Sequence, residues 1–320
     1  MNIYYEQGIV LKEENYSLLI DPVGYPSFKP DIILISHAHR DHYNMKVLKS
    51  FPQVLKLMSP VTRIFLDKKR NLPNVLELAE GQEVRLNKLI IRAHEAGHVL
   101  GSLQYEIILK NKRIVYTGDF NLQARLVLKP AKIIEADILI IEATYGHPRY
   151  SFPERITIYK QILECTKQLI DLGYRVNVLG RTLGTAQELT TLLSFSRLNL
   201  YPAVHPIIAR INRIYELYGE NLGTYRILSL KQSNNNGENP IIMPLSSKIS
   251  EKKNSIICTG WALNKREKGY VPLSSHADFK QLVRYARQSS PEKVFTVYGF
   301  TNVLADFLKN EYSFDAQPLK

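Results

Sequence analysis

Short apolar runs that end in polar or aromatic residues recur along this chain. The run 31–36 holds four consecutive aliphatic residues, which is typical of a strand buried on both faces. Similar runs at 113–118, 138–141, 175–180, 256–260 and 294–297 lead to Asp119, Glu142, Arg181, Trp261 and Tyr298. Sheet-based enzymes gather groups that are distant in sequence at the ends of core strands. We therefore expect several of these strands to point towards one site.

Helical segments lie between the apolar runs. The pattern predicts helices over 153–172, 185–195, 206–219, 277–288 and 301–310. Three pairs resemble capping boxes at helix starts: Ser151 with Glu154, where Pro153 would lie in the first turn, Thr185 with Glu188, and Ser275 with Asp278. The polar stretch 231–240 lacks apolar periodicity and is predicted to be a mobile loop.

Length and cysteine content bound the class of protein. The 320 residues can form one large α/β domain or a core domain with an insertion. Cys165 and Cys258 fall in a predicted helix and a predicted buried strand, which indicates neither a disulfide framework nor a cysteine metal site. The N-terminus lacks the pattern of a signal peptide, and no apolar run approaches the roughly 20 residues that span a bilayer. We expect a cytoplasmic protein that has no membrane partner.

The chain is strongly basic. Its formal net charge is +12 and its calculated pI is about 9.5. Such a charge favours a polyanionic partner such as nucleic acid through long-range attraction. Surplus lysine is also common on the solvated faces of intracellular proteins, so the charge becomes informative only together with the next feature.

Residues 37–42 read His-Ala-His-Arg-Asp-His, directly after the apolar run 31–36. Side chains at i and i+2 of an extended backbone point to the same side, so His37 and His39 can share one metal ion. Asp41 and His42 can then bind a second ion. Zinc suits this mixture of imidazole and carboxylate, and manganese is the alternative. The competing interpretation is a polar loop whose histidines only form caps and contact solvent.

Two downstream residues can complete a metal site. His98 is flanked by Gly97 and Gly101, which allow close approach of the backbone, and it can form a three-imidazole set with His37 and His39. Asp119 can bridge both ions. Alone, His98 would more often be an ordinary loop histidine, and the neighbouring cluster changes that expectation.

The pattern of these residues, with Asp21 upstream, resembles the metal-binding motifs of the metallo-β-lactamase fold. The phrases at 96–102, 142–146 and 274–278 narrow the resemblance to the β-CASP nucleases, and those at 145–150, 183–188, 204–206 and 258–263 are similar to the short prokaryotic DNA-ligase-associated or RNA-processing exonucleases. The resemblance implies a four-layer αββα sandwich with an inserted small α/β cassette. We expect the sandwich to comprise 1–150 and 263–320 and the β-CASP cassette to comprise 151–262.

The resemblance also implies a role for each site residue. The first ion would be held by His37, His39, His98 and Asp119, and the second by Asp41, His42 and the shared Asp119. His276 would donate a proton to the leaving 3′ oxygen, with Glu142 orienting it, and Asp21 would orient the metal ligands from outside their shell. The product would carry a 5′-phosphate. The competing interpretation of Glu142 is a surface or capping carboxylate.

One position departs from the family pattern. Where relatives often present a histidine in a His-Gly-Glu phrase, this chain has Tyr298 followed by Gly299 and Phe300. A phenol titrates near 10 and is a poor substitute ligand, so the second ion should be held more weakly. Members that act on DNA commonly lack this histidine, which favours DNA slightly. Tyr298 can instead stack on a base or pack in the core.

Substrate contacts follow from charge and position. We expect Arg181 to bind phosphate near the helix start at Gly184, and Arg40 and Arg149 to contact the nucleic-acid strand. A solvated surface role is an equal alternative for each arginine. A narrow cleft between sandwich and cassette would admit a single strand more readily than a duplex.

The leading hypothesis is a metal-dependent phosphodiesterase, a single-strand-preferring DNA exonuclease in repair or replication that associates with replication or repair proteins. The alternatives are an RNA-processing exonuclease or endonuclease on the same scaffold, a small-molecule metallo-hydrolase, and a non-catalytic docking subunit.

Overall fold

Two units make up the structure, a computed structural model that describes residues 1–13, 16–229, 239–248, 252–265 and 267–320. The first unit contains 1–122, 130–148 and 276–320, and the second contains 123–129 and 149–275. Strands and helices are numbered below in chain order. Most of the predicted loop 231–240 lies outside the described residues.

The first sheet of the first unit has six strands in the order of the chain. They are β1 (Asn2–Tyr5), β2 (Ile9–Glu13), β3 (Tyr16–Ile20), β4 (Ile32–Leu34), β5 (Leu55–Met58) and β6 (Val75–Glu77). The first three run antiparallel, and β3 to β6 run parallel. The two parallel neighbours of β4 make it an interior strand, in agreement with its aliphatic sequence.

The second sheet has seven strands in the order β19-β18-β11-β10-β9-β8-β7. They are β7 (Glu83–Leu86), β8 (Leu89–Glu95), β9 (Leu103–Leu109), β10 (Lys112–Tyr116), β11 (Ile138–Glu142), β18 (Lys293–Val297) and β19 (Asp315–Pro318). Strands β10, β11 and β18 are parallel neighbours, so their carboxyl ends meet at one edge. Asp119, Glu142 and Tyr298 follow or end these three strands.

Alternating residues divide each sheet between two cores. Ile32 and Leu34 pack with Ile140 of the other sheet, whereas Ile33 packs on the outer face with α1 (Met45–Ser50). In the second sheet Leu139 packs on the outer face with α6 (Phe279–Ser289) and α7 (Thr301–Tyr312). Each fully buried aliphatic side chain contributes about 1.5–3 kcal/mol. The predicted four-layer αββα sandwich is confirmed.

The second unit is a small α/β fold around a parallel sheet in the order β14-β13-β15-β12-β16-β17. Its strands are β12 (Asn177–Gly180), β13 (Ala203–Val204), β14 (Arg226–Ile227), β15 (Ile241–Pro244), β16 (Ser255–Cys258) and β17 (Tyr270–Val271), and its helices are α3 (Arg155–Asp171), α4 (Thr185–Ser194) and α5 (Pro206–Leu217). The predicted α/β character of the cassette is confirmed.

The predicted division of the chain differs from these units in three places, 123–129, 149–150 and 263–275. Strand β17 pairs with β16, Ile257 lying opposite Tyr270, so 263–275 belongs with the second unit and not with the sandwich. Segment 123–129 also belongs to the second unit, where Arg125 bonds Glu188. The two-residue strand β17 and the seven-residue segment 123–129 are too short to produce a recognisable pattern in the local sequence.

All five predicted helices are confirmed within about two residues, but the predicted caps are wrong. Helix α4 has Gly184 as its N-cap, whose N–H donates to Gln187 Oε1 at 2.7 Å. Asp278 itself caps α6 by accepting from the Gln281 N–H. The N-cap residue of helix α3 is Glu154, whose side chain makes no capping hydrogen bond. Pro153 therefore lies before the helix and not in its first turn. Helix α2 (Pro60–Leu66) and α1 were not predicted.

Both cysteines are described and neither forms a disulfide. None of the helices in the described part of the chain combines the length and the apolar character needed to cross a membrane.

Candidate active site

Loops at the carboxyl ends of strands bring four predicted ligands together in the first unit. One loop follows β4, one joins β8 to β9, and one follows β10. They carry His37, His39, His98 and Asp119. The backbone at Gly118 has a φ of +53°, and a Cβ there would lie 3.0 Å from Ser36 Cβ. The positive φ and the close approach of the two loops both favour glycine at this position.

The four side chains converge on one point. His39 Nδ1 lies 3.0 Å from His37 Nε2 and 3.0 Å from His98 Nε2. Asp119 Oδ2 lies 3.4 Å from His37 Nε2 and 3.6 Å from His98 Nε2. All four residues are buried, and their ligand atoms lie within 4.8 Å of one another.

The chemistry of this donor set fits a divalent metal ion. Burial lowers the pKa of His37 and of His98 well below the usual value, so both rings are neutral and each has one nitrogen with a lone pair. One proton on His39 Nδ1 can be shared with one of the two neighbouring nitrogens at a time. A cation at the centre would satisfy all three imidazoles and Asp119 together.

Asp21 anchors a network beside this cluster. Its Oδ2 accepts hydrogen bonds from Ser36 Oγ at 2.6 Å, Tyr116 OH at 2.6 Å and His42 Nδ1 at 2.8 Å. The second nitrogen of His42, Nε2, lies 3.3 Å from Asp119 Oδ2. Burial alone would lower the pKa of His42, but Asp119 and Asp21 on its two sides raise it well above the usual value. Asp21 therefore fixes which nitrogen of His42 faces the cluster.

Glu142 and His276 form a second buried pair next to the cluster. Glu142 Oε2 lies 3.0 Å from His276 Nδ1, and Glu142 Oε1 accepts from the Phe120 N–H at 2.9 Å. The backbone carbonyl of His276 accepts from Asn121 Nδ2 at 2.9 Å. Asp119 Oδ2 lies 3.7 Å from His276 Nδ1, so the pair adjoins the proposed metal position. Glu142 is fully buried, which excludes the surface interpretation.

Asp41 and Arg40 lie in a short 3₁₀ turn, Arg40–His42. Both are exposed, and the Arg40 guanidinium lies 5.6 Å from the centroid of the Tyr43 ring. Within the described residues, Asp41 is outside the three groups of side chains whose ligand atoms converge. Its role as a ligand stays a prediction.

Tyr298 lies beside His42 with a φ of +60°, a left-handed conformation that is uncommon for a residue other than glycine. Its ring meets the His42 ring edge to face at 5.0 Å, and its hydroxyl lies 3.5 Å from Tyr116 OH. Burial and the charge of Asp21 raise the pKa of Tyr298 well above 10. The phenol is therefore protonated at neutral pH, which agrees with a poor metal ligand. A contact with nucleic acid stays a prediction.

Arg149 and Arg181 belong to the second unit. The Arg149 guanidinium lies 5.0 Å from the Tyr150 ring centroid, and Arg181 is half-buried shortly before α4. The contacts of Arg149 and Arg181 with substrate stay a prediction.

Sequence reasoning missed two parts of this architecture. Ser36 and Tyr116 were not selected, although Ser36 directly precedes His37 and Tyr116 ends the strand that leads to Asp119. In the second unit, Glu188 was interpreted as a cap but is fully buried between Arg125 and Arg155. No local signal connects Glu188 with Arg125, which lies 63 residues earlier.

Comparisons with known proteins identify the kind of domain that carries these residues. Residues 6–147 match the family model described as Beta-lactamase superfamily domain. A probable DNA ligase of Opitutus terrae is 29% identical over 293 residues, which cover 86% of this chain and 27% of that protein. The RNase J-like protein of Methanocaldococcus jannaschii is 31% identical over 182 residues, covering 51% of this chain and 43% of that protein. The chain thus spans less than half the length of either relative.

Two further likenesses cover most of the chain. Integrator complex subunit 11 of Danio rerio is 24% identical over 88% of this chain and 61% of that protein. A solved structure of a protein of unknown function from Enterococcus faecalis covers 93% of this chain and 94% of its own with a TM-score of 0.60 and 14% identity, which shows the fold alone. Residues 6–147 therefore form a β-lactamase superfamily domain, and the chain is similar over most of its length to proteins named probable DNA ligase and Integrator complex subunit 11.

Proposed function

We propose that the chain is a metal-dependent nuclease that hydrolyses phosphodiester bonds, and that its preferred substrate is single-stranded DNA digested from an end. The observation that carries the proposal is the contact between two buried groups. The three-imidazole cluster with Asp119 is joined to the Glu142–His276 pair through the 3.7 Å approach of Asp119 to His276.

In this proposal His37, His39, His98 and Asp119 hold one zinc ion. A second, weaker ion would be held by Asp119, His42 and Asp41, with manganese as the alternative metal at either position. A bound ion supplies a water of low pKa and neutralises charge that develops on the phosphoryl oxygens.

The remaining steps belong to side chains of the protein. Hydrolysis breaks the bond between phosphorus and the 3′ oxygen, and this oxygen needs a proton as it leaves. Glu142 accepts the Nδ1 proton of His276, which leaves Nε2 to carry the proton to the leaving oxygen. The Phe120 N–H holds Glu142 in place. The new end is a 5′-phosphate.

The DNA preference is supported by two observations. A relative that matches over 86% of this chain is named a probable DNA ligase, and the family resemblance implies that RNA-acting members tend to have a histidine where this chain has Tyr298. The net charge of +12 favours a polyanion of either kind. Arg40, Arg149, Arg181 and Tyr298 are the proposed strand contacts. We place the protein in the cytoplasm, with replication or repair proteins as its partners.

An RNA-processing nuclease is the second candidate function. It is favoured by the names of two archaeal relatives, the RNase J-like protein of Methanocaldococcus jannaschii and RNase aCSPSF2 of Saccharolobus solfataricus. The first matches over 51% of this chain and the second over 56%.

Digestion of end-labelled substrates separates these functions. Single-stranded and duplex DNA and RNA, labelled at the 5′ or the 3′ end, are incubated with zinc, manganese or EDTA. We expect cleavage of single-stranded DNA with metal, none with EDTA, and a loss of about 10²–10⁴-fold for His276→Ala. The matched control is His205→Ala, which removes a histidine that caps α5 in the other unit.

Cleavage of RNA without cleavage of DNA would make the RNA-processing function correct. If no nucleic acid is cleaved while a lactone or thioester is hydrolysed, the protein is a small-molecule hydrolase. Failure of the purified protein to retain or rebind any divalent metal would favour a docking subunit.

A further inference from the structure

A groove on the outer layer of the first unit lies between α6 and α7, and the proposed function does not use it. The groove has a volume of about 400 Å³. Helix α6 begins three residues after His276, so the groove lies on the helix that follows the proposed active-site histidine. Its wall contains both basic and aromatic side chains, in contrast to the apolar face with which α6 contacts the second sheet.

Three cations line one face of α6. Lys280, Arg284 and Arg287 are exposed and follow one another at spacings of four and three residues, so they lie on the same side of the helix over about 10 Å. Within the described ranges, no carboxylate oxygen lies within 4.0 Å of these three side chains, and none contributes to the lining of the groove. Many other surface arginines in this unit, such as Arg85 and Arg92, have acidic partners.

Aromatic rings form the other wall and the floor. Tyr312 of α7 is 38% exposed, and the Arg287 guanidinium lies 4.8 Å from its ring centroid. Phe307 lies 4.8 Å from Phe279 at the base of the groove and 6.1 Å from Tyr312. An exposed ring with a guanidinium beside it offers a surface on which a planar base can stack.

We propose that this α6–α7 groove is an auxiliary binding surface for a nucleic-acid strand, whose phosphates contact Lys280, Arg284 and Arg287 while a base stacks on Tyr312. The proposal rests on the proposed nuclease function. The groove acts on affinity and not on the bond-breaking step, because none of its residues belongs to the Asp119, Glu142 and His276 contacts.

Charge complementarity and ring exposure select this occupant. A row of cations without acidic partners matches the regular negative charge of a phosphate backbone. An acidic peptide would pair with the same cations, so binding of an acidic polymer is an outcome that the test must distinguish. Phe279 is 7% exposed and packed in the core and Phe307 is half-buried, whereas Tyr312 is 38% exposed, so Tyr312 is the most accessible of the three rings and favours stacking.

The test compares two variants of equal charge. The groove variant carries Lys280→Gln, Arg284→Gln and Arg287→Gln, and the control carries Lys68→Gln, Lys69→Gln and Lys88→Gln, three exposed lysines elsewhere in the same unit. Affinity of the zinc-loaded protein for a fluorescent single-stranded oligonucleotide is measured by anisotropy over about 50–200 mM salt, in the His276→Ala background to prevent cleavage. Hydrolysis of bis(p-nitrophenyl) phosphate is measured in the active background.

We expect the groove variant to bind about tenfold more weakly at low salt and its salt slope to fall by about 2, because three phosphate contacts each contribute about 0.7 for a single strand. The control should change little in either quantity, and hydrolysis of the small ester should be the same in all three proteins. Tyr312→Ala should weaken binding without changing the salt slope.

Equal losses in the groove variant and the control would overturn the proposal, since net charge alone would explain them. An unchanged slope would overturn it, and so would a groove variant that loses hydrolysis of the small ester, because the residues would then be structural. Binding of poly-glutamate that depends on the three cations, without such dependence for nucleic acid, would assign the groove to an acidic protein. If the parent protein neither binds nor cleaves any nucleic acid, the proposed function itself fails.

Discussion

Each unit of this protein buries a cluster of ionisable side chains, and the two clusters solve the problem of burial differently. In the second unit, Glu188 accepts from Arg125 Nη2 at 2.6 Å and from Arg125 Nε at 2.9 Å, and its Oε1 lies 3.2 Å from Arg155 Nε. Tyr159 donates to the same carboxylate. Arg155 also donates to the Ser274 carbonyl at 2.6 Å. Charges of opposite sign and hydrogen-bond donors are thus supplied by the chain itself.

The cluster of the first unit is not balanced in this way. His39 Nδ1 lies 3.0 Å from a nitrogen of His37 and 3.0 Å from a nitrogen of His98, and burial keeps His37 and His98 neutral. Lone pairs that face one another repel unless a cation lies between them. This difference distinguishes a structural cluster from a site: in the former each charged side chain lies beside an opposite charge of the same chain, whereas the latter needs a partner from outside.

Asp119→Asn should have the largest effect, because it removes a carboxylate that contacts both the imidazole cluster and His276. We expect the variant to lose its metal and to cleave its nucleic-acid substrate at least about 10³-fold more slowly. Metal content after gel filtration is measured by mass spectrometry, together with activity.

The matched control for that variant is Asp306→Asn, at an exposed position of α7. Asp119→Asn protein that keeps a full equivalent of metal and normal activity would contradict the assignment of Asp119 as a ligand.

Glu188→Gln should have the largest effect on stability. The substitution removes the carboxylate with which two buried guanidiniums pair, and breaking a buried ion pair costs about 3–5 kcal/mol of unfolding free energy. Urea unfolding followed by fluorescence measures the change, and Glu164→Gln at an exposed position of α3 is the control. Metal content should stay the same. A loss below about 1 kcal/mol would mean that the cluster does not stabilise the fold.

Metal removal should affect the first unit and leave the second unchanged. Saturation at a hundredfold excess over Kd contributes about 2.7 kcal/mol to the state that binds the ion. We expect EDTA to accelerate hydrogen exchange in the loops 36–42, 97–102 and 117–121, while the amides of α4 keep their protection. Added zinc should reverse the change. Equal acceleration in α4 would show that the second cluster also depends on the ion.

The sequence could predict the residues at strand ends but not their network. Aliphatic runs locate β4, β10 and β11, so His37, Asp119 and Glu142 could be found from local pattern alone. The contacts of Asp21 could not, because they need β3 beside β4 and Tyr116 of the second sheet across the core.

The capping-box pattern gave a wrong prediction for Glu188, because a glutamate near a helix start can either cap the helix or pair with a buried arginine. Glutamate three residues after threonine is typical of a capping box, yet Glu188 is buried with arginines, and the cap of α4 comes from Gln187 one residue earlier. Helix α2 could have been predicted, because Ser59 before Pro60 is a standard N-cap and its hydroxyl accepts from the Thr62 N–H at 2.9 Å.

Tyr116→Phe tests whether the Asp21 network tunes the metal position. The variant removes one donor to Asp21 and leaves the ring in place, so the fold should be retained. Groups that orient metal ligands typically contribute 10- to 100-fold in metal affinity, and we expect a loss of about tenfold because Ser36 and His42 still hold Asp21. Competition with a zinc chelator measures the affinity. Tyr285→Phe, which removes a buried hydroxyl bonded to Gln104, is the control.

The smallest effect should be a dependence of stability on pH in the second unit. Burial alone would raise the pKa of Glu188, but Arg125 and Arg155 hold it below its usual value. A carboxyl with a lowered pKa in the folded state stabilises the fold above its unfolded pKa, near 4.3, and this contribution is lost as the pH falls through the folded pKa. One group can change the unfolding free energy by at most about 1.4 kcal/mol per pH unit.

The difference in stability between the parent and Glu188→Gln should therefore be constant from about pH 7 to pH 5 and should shrink below pH 4, which urea unfolding at each pH measures. A difference that grows as the solution is acidified would contradict an ionised Glu188 and, with it, the view that this cluster is balanced by the chain itself.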